Sequence, residues 1–209
     1  MKLRLASRVM VVALVVMVGG IMLLRGHLAD GQVQTRLQGA DLGGTAAPAF
    51  ALRDQNGAEV SLASLRGHPV VLAFMYTHCP DECPLTASKL HTVAQALGAK
   101  AQEVRWVAIS TDPLGDTAST AQAFVRQHQV DGYMHYLLGD EAQLAPIWQA
   151  YHVAVEPATT ATSGGHSAGD GRVTHTGGLY VLDGQGRERV YLDPNFAPGT
   201  LEGDLRALL

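Results

Sequence analysis

The sequence predicts an α/β domain in which a strand–helix–strand half, extended by two more helical units, ends in a β-hairpin and a closing helix. Three patterns carry this reading. Two continuous apolar runs rich in β-formers, PVVLAFMY at residues 69–76 and VRWVAIS at 104–110, read as strands buried on both faces. Helical patterns follow each of them. Near the C-terminus THTGGLYVLD and RERVYLD flank Gly184-Gln185-Gly186, as the two strands of a hairpin would.

The elements are justified in turn. APAFALRDQNGAEVSLASLRG alternates apolar and polar residues around the turn signal Asn56-Gly57, which predicts short strands near 50–53 and 59–62. The strand at 69–76 runs straight into both cysteines of the chain, Cys79 and Cys83. After Pro84, the residues Leu85, Leu90, Val93, Ala94 and Leu97 recur at helical spacing, and Gly98 is a suitable stop. The strand at 104–110 ends in TDPLGDTAST, where Asp116 or Thr117 can cap a helix running to about His128. A short strand is expected at 136–138 and a third helix at 141–151. VEPATTATSGGHSAGDGR, rich in Gly, Ser and Thr, reads as an inserted loop, and the hairpin and a helix over 198–209 close the domain. This order is that of a thioredoxin-like fold with an N-terminal β-hairpin extension and an inserted loop.

An appendage precedes the domain. Residues 1–8 are basic, with Lys2, Arg4 and Arg8, and residues 9–24 form an uncharged apolar run that reads as a transmembrane signal anchor. The charge before the run places the N-terminus in the cytoplasm. The expected setting is a bacterial inner membrane, spanned once, with the C-terminal domain in the periplasm. Residues 25–45 are polar with scattered Gly and read as a tether to a domain over 46–209. A net charge of -4, with no basic cluster interleaved with aromatics, argues against nucleic acid as a partner. No long heptad is present, so a monomer is expected.

YTHCPDECPLT places three residues between the thiols, and three readings are open: a redox couple, part of a metal site, or a structural staple. On a helical path Cys79 and Cys83 would lie one turn apart, about 6 Å between Cα atoms, within reach of a disulfide or of one metal ion. As a staple the pair would close a very short loop and stabilise little. Asp81 and Glu82 oppose thiolate formation by their charge, which argues against a strongly oxidising couple. A metal needs a further donor. His175 falls just before the apolar strand at 177–182, whose start lies beside the cysteine turn in this fold. Two thiolates and an imidazole form a soft, low-coordinate set suited to Cu(I) and tolerable for Cu(II). His78 beside Cys79 and His166 in the loop are weaker candidates; the remaining histidines read as ordinary surface or capping residues.

These residues together resemble the Sco/SenC family of copper chaperones for cytochrome c oxidase assembly. The resemblance rests on FMYTHCPDECPLTASKL, on PAFALRDQNGAEVSLASLRG, on VAISTDPLGDT and on VTHTGGLYVLDGQG. It implies Cys79, Cys83 and His175 as copper ligands, holding Cu(I) and/or Cu(II). It also implies delivery of copper to the CuA centre of oxidase subunit II or a related acceptor, or reduction of that centre's cysteines, with a thiol reductant as a second partner. Family members commonly carry Asp directly before the ligand His, where this chain has Thr174. The alternative is a periplasmic thiol–disulfide oxidoreductase using Cys79 and Cys83 without metal; a peroxide-reducing or redox-sensing role is a third reading.

Overall fold

The computed structural model describes residues 37–156, 174–175 and 177–209. The basic segment, the anchor at 9–24, most of the tether and the loop that carries His166 lie outside the described residues. Among the described residues no helix is long and apolar enough to cross a membrane.

The strands are β1 (Ala40–Asp41), β2 (Ala51–Asp54), β3 (Glu59–Ser61), β4 (Val70–Met75), β5 (Arg105–Ser110), β6 (Met134–Leu138), β7 (Val155–Glu156), β8 (Thr174–His175), β9 (Leu179–Leu182) and β10 (Glu188–Leu192). The α-helices are α1 (Glu82–Leu97), α2 (Ala118–Gln127), α3 (Glu141–Ala150) and α4 (Pro198–Leu208). Eight strands form one sheet in the order β1-β10-β9-β4-β5-β6-β2-β3, while β7 and β8 pair separately. β4, β5 and β6 are parallel, and β9 runs antiparallel to β4. The β4–α1–β5 unit and the β9–β10 hairpin with α4 are the thioredoxin-like core.

β4 is buried throughout because both its faces are covered, as its unbroken apolar run predicts. Val71, Ala73 and Met75 pack with α1, α2 and α4, through residues such as Leu90, Phe124 and Leu201. Val70, Leu72 and Phe74 face the other way, toward Leu144, Ile147 and Trp148 of α3. Each fully buried aliphatic side chain of this kind contributes about 1.5–3 kcal/mol relative to exposure. The buried indoles are satisfied: Trp106 Nε1 donates to Ala101 O at 3.0 Å and Trp148 Nε1 to Ser110 O at 2.9 Å.

Two expectations are corrected and one open choice is resolved. α1 begins at Glu82, ahead of Pro84, which therefore stands third in the helix, where its missing N–H is one that no helix carbonyl would have taken. Leu85 faces water, 53% exposed, and Cys83 and Ala87 take the inward positions. Part of the stretch read as a tether belongs to the sheet: Ala40 and Asp41 pair with Tyr191 and Val190, and Leu42 N and Gly44 N donate to Arg189 O and Glu188 O. Two residues of backbone pairing leave no periodic side-chain trace, so the pattern hid them. Of the two candidate caps on α2 it is Thr117 that closes a capping box with Thr120, and Asp116 turns inward instead.

Candidate metal centre

β4 ends at Met75 and the chain turns through Tyr76–Asp81 into α1, so Cys79 sits at the helix entrance and Cys83 in its first turn. The two are brought together and unbridged: the Cys83 N–H donates to Cys79 Sγ at 3.4 Å, with Cys83 buried and Cys79 half-buried. The Cys79 thiol is pulled down to about 5, chiefly by the hydrogen bond from the Cys83 thiol, with the N–H groups of Cys83 and Asp81 adding to it against the opposing effect of burial. The Cys83 thiol is pushed up, by donating that hydrogen bond to Cys79 and by its burial. Asp81 and Glu82, expected to oppose a thiolate, are exposed to water that screens them, while the donors touch the sulfur directly. Contact outweighs net charge here, and the pair is asymmetric: one acidified, accessible thiol and one buried, protonated thiol.

The backbone of β8 carries Thr174 and His175 and pairs with β7, Val155 opposite His175. From there the chain passes through Gly177 and Gly178 into β9, whose Leu179 lies opposite Ala73 of β4. Because β9 is antiparallel to β4, the residues before Leu179 run alongside the segment that leaves β4 toward the cysteines. The surroundings of Gly177 agree with this: a Cβ there would stand 2.9 Å from Pro194 Cγ and 3.0 Å from Glu82 Oε2, next to Cys83 in the chain. The Gly177 carbonyl accepts from the Tyr191 hydroxyl at 2.7 Å, which holds the link against β10.

The residue that sequence reasoning missed is Asp116. Buried beneath the cysteine turn, its Oδ1 accepts from Thr77 N at 2.8 Å and Thr77 Oγ1 at 2.7 Å, and its Oδ2 from Ser110 Oγ at 2.7 Å and Tyr136 Oη at 3.0 Å. Burial pushes its carboxyl up despite these four donors. The one available signal was its place in TDPLGDT after a buried strand. Ligand-type atoms of His78, Asp112 and Asp116 lie within 4.8 Å of one another, but both oxygens of Asp116 are already committed. His78 itself is exposed, with Nδ1 3.2 Å from Thr77 Oγ1. The other histidines with described side chains serve locally: His68 and His91 contact the backbone carbonyls of Glu103 and Gln129, His135 contacts Asp54, His128 caps α2 against Phe124, and His152 lies beside Glu188.

A paired-thiol turn at the N-terminus of the helix after a central parallel strand, inside a βαβ and ββα sheet, defines a thioredoxin-like domain. The model of the SCO1/SenC family matches residues 38–209, and the chain belongs to that family. The mitochondrial SCO2 homolog of Bos taurus is 32% identical over 153 residues, which are 71% of this chain and 57% of that one. A SCO2-like protein of Rickettsia prowazekii is 26% identical over 146 residues, 69% of this chain and 68% of that one. Among solved structures, ScoI of Bradyrhizobium japonicum with copper bound is 32% identical with a TM-score of 0.68, covering 79% of this chain and 100% of that one.

Proposed function

We propose that this protein is a membrane-anchored copper chaperone that binds its cargo through Cys79, Cys83 and His175. In this reading it delivers copper to the CuA centre of cytochrome c oxidase, or prepares the thiols of that centre. The observation that carries the reading is the Cys79–Cys83 pair at the entrance of α1, with Gly177, two residues after His175, close to Glu82 of that helix. The likeness to ScoI solved with copper bound supports it. The donor set fits the cargo: Cys79 is a thiolate at neutral pH, and Cys83 gives up its proton when a soft cation takes its place. Three donors leave a position open through which a recipient's ligand can enter. The run at 9–24 behind Lys2, Arg4 and Arg8 supports a single-pass anchor in a bacterial inner membrane with the domain in the periplasm.

The thiol asymmetry favours a second reading, thiol–disulfide reduction. Cys79 thiolate attacks a partner disulfide, forming a mixed disulfide and releasing one partner thiolate. Cys83 then loses its proton and attacks Cys79 Sγ, leaving a Cys79–Cys83 disulfide and the second partner thiol. Copper stoichiometry and the thiolate-to-Cu(II) absorption of the reduced protein separate the two readings, with His175→Ala measured in parallel. The expected result is a single copper ion per chain and a band that is lost or shifted in His175→Ala. No retained copper, with thiols that still exchange against disulfides, leaves the reductase reading.

A further inference from the structure

Gly177 and Gly178 also line a pocket of about 380 Å³, walled by Tyr151, Tyr180 and Tyr191 with His152 and Glu188 among them. That volume is at the low end for ligand sites and suits a single side chain. The rings meet edge to face, with centroids 5.3 Å apart at 74° from Tyr151 to Tyr180 and 5.3 Å apart at 64° from Tyr180 to Tyr191. None of the three hydroxyls donates to Glu188: Tyr151 donates to Pro48 O, Tyr180 to Tyr151 O and Tyr191 to Gly177 O. Among the described residues the hydrogen-bond donor to this carboxylate is the Thr45 hydroxyl, at a long 3.4 Å. Burial pushes the Glu188 carboxyl up, with only the Thr45 bond and the neighbouring His152 acting the other way. A carboxylate set among tyrosine rings, short of strong donors, calls for a cation that brings its own N–H groups.

The geometry points to a docking socket for an arginine side chain of the protein partner, packed against the half-buried Tyr180 and Tyr191 and hydrogen-bonded to Glu188. A guanidinium fits better than an ammonium because it is planar, stacks on aromatic faces and offers two parallel donors to one carboxylate. The socket's place gives it a use. Gly177 and Gly178 line it and lead directly from the strand of His175, so an anchored partner is held beside the cysteine turn. The partner's identity as the protein that exchanges copper or thiols rests on the proposed function; the socket does not.

The test is a titration of the full-length protein at pH 8, where an imidazole is ordinarily neutral, with capped Ala-Arg-Ala, followed by the amide NMR shifts of Gly177, Gly178 and Glu188. Capped Ala-citrulline-Ala and free agmatine are run beside it. The expected result is saturable shifts with the arginine peptide, weakened at least tenfold in Glu188→Gln and absent with citrulline. Equal binding by citrulline or by Glu188→Gln, or no shifts at these amides, overturns the proposal. Binding of agmatine without the capped peptide also overturns it and leaves a small-cation site. Copper retention is measured on the same Glu188→Gln sample and is expected to be unchanged. If the wild type retains no copper but binds the peptide, the chaperone reading fails and the socket stands.

Discussion

The backbone N–H of Cys83 points at the sulfur of Cys79, 3.4 Å away, so the second cysteine of the pair stabilises the first as a thiolate. In reduced, metal-free protein, iodoacetamide is therefore expected to label Cys79 first, with a rate that rises through pH 5 and is level by neutral pH. Cys83→Ala removes the thiol donor and moves that midpoint up. The same shift links pH to stability. The folded value lies below the unfolded one, so the contribution is fully present above the ordinary thiol range and is lost as pH falls through about 5. Urea midpoints of the reduced protein are expected to rise with pH across this window, and to rise less in Cys79→Ala. A Cys79 labelling midpoint near that of a free cysteine would sink this account.

Asp116 ties Thr77, two residues before Cys79, to Ser110 and Tyr136 in the sheet. In Asp116→Asn one oxygen becomes an NH₂ group that faces donors, so at least one buried hydroxyl loses its acceptor. Urea unfolding is expected to show a loss of about 1–3 kcal/mol. Thr77→Val removes a single hydrogen bond to the same carboxylate and is expected to lose less. Equal stability of Asp116→Asn and wild type would show that the carboxylate is not the clamp of this turn.

Leu85 and Leu90 separate what periodicity can read from what it cannot. Both fit the helical spacing of the sequence, yet Leu90 is 1% exposed and Leu85 is 53% exposed. Leu90→Ala is expected to cost about 2–5 kcal/mol in urea unfolding, and Leu85→Ala less than about 0.5 kcal/mol. Comparable losses would place Leu85 in the core.

The same contrast explains what was legible. β4, β5 and the four α-helices announce themselves because burial of one or both faces forces an apolar period. The cysteine pair and His175 could be singled out because thiols and imidazoles are rare and the fold order brings their segments to one corner. β1, β7 and β8 were hidden, since strands of two residues are held by backbone pairing that any side chain permits. Asp116 was hidden because its role depends on Thr77, Ser110 and Tyr136, which converge only after the sheet has formed. The lowered Cys79 thiol was misjudged because sequence shows the charges of Asp81 and Glu82 but not the N–H groups that touch the sulfur.

Gly178 supplies the last test, of the link that positions the His175 strand. Its φ of +135° lies where side chains are rarely found, and an added Cβ would stand 2.4 Å from the Tyr191 hydroxyl and 2.6 Å from its ring. An alanine must therefore push Tyr191 away or move the link itself. Either movement breaks the bond from Tyr191 Oη to Gly177 O. Gly178→Ala is expected to destabilise by about 1–3 kcal/mol from backbone strain alone. Tyr191→Phe serves as the comparison, because it deletes the hydrogen bond while leaving the backbone unstrained, and is expected to cost about 0.5–1.5 kcal/mol. If the link sets the approach of His175 to the cysteines, Gly178→Ala also weakens copper retention more than Tyr191→Phe does. Retention unchanged in a clearly destabilised Gly178→Ala would mean that the strand of His175 finds its place without this cradle.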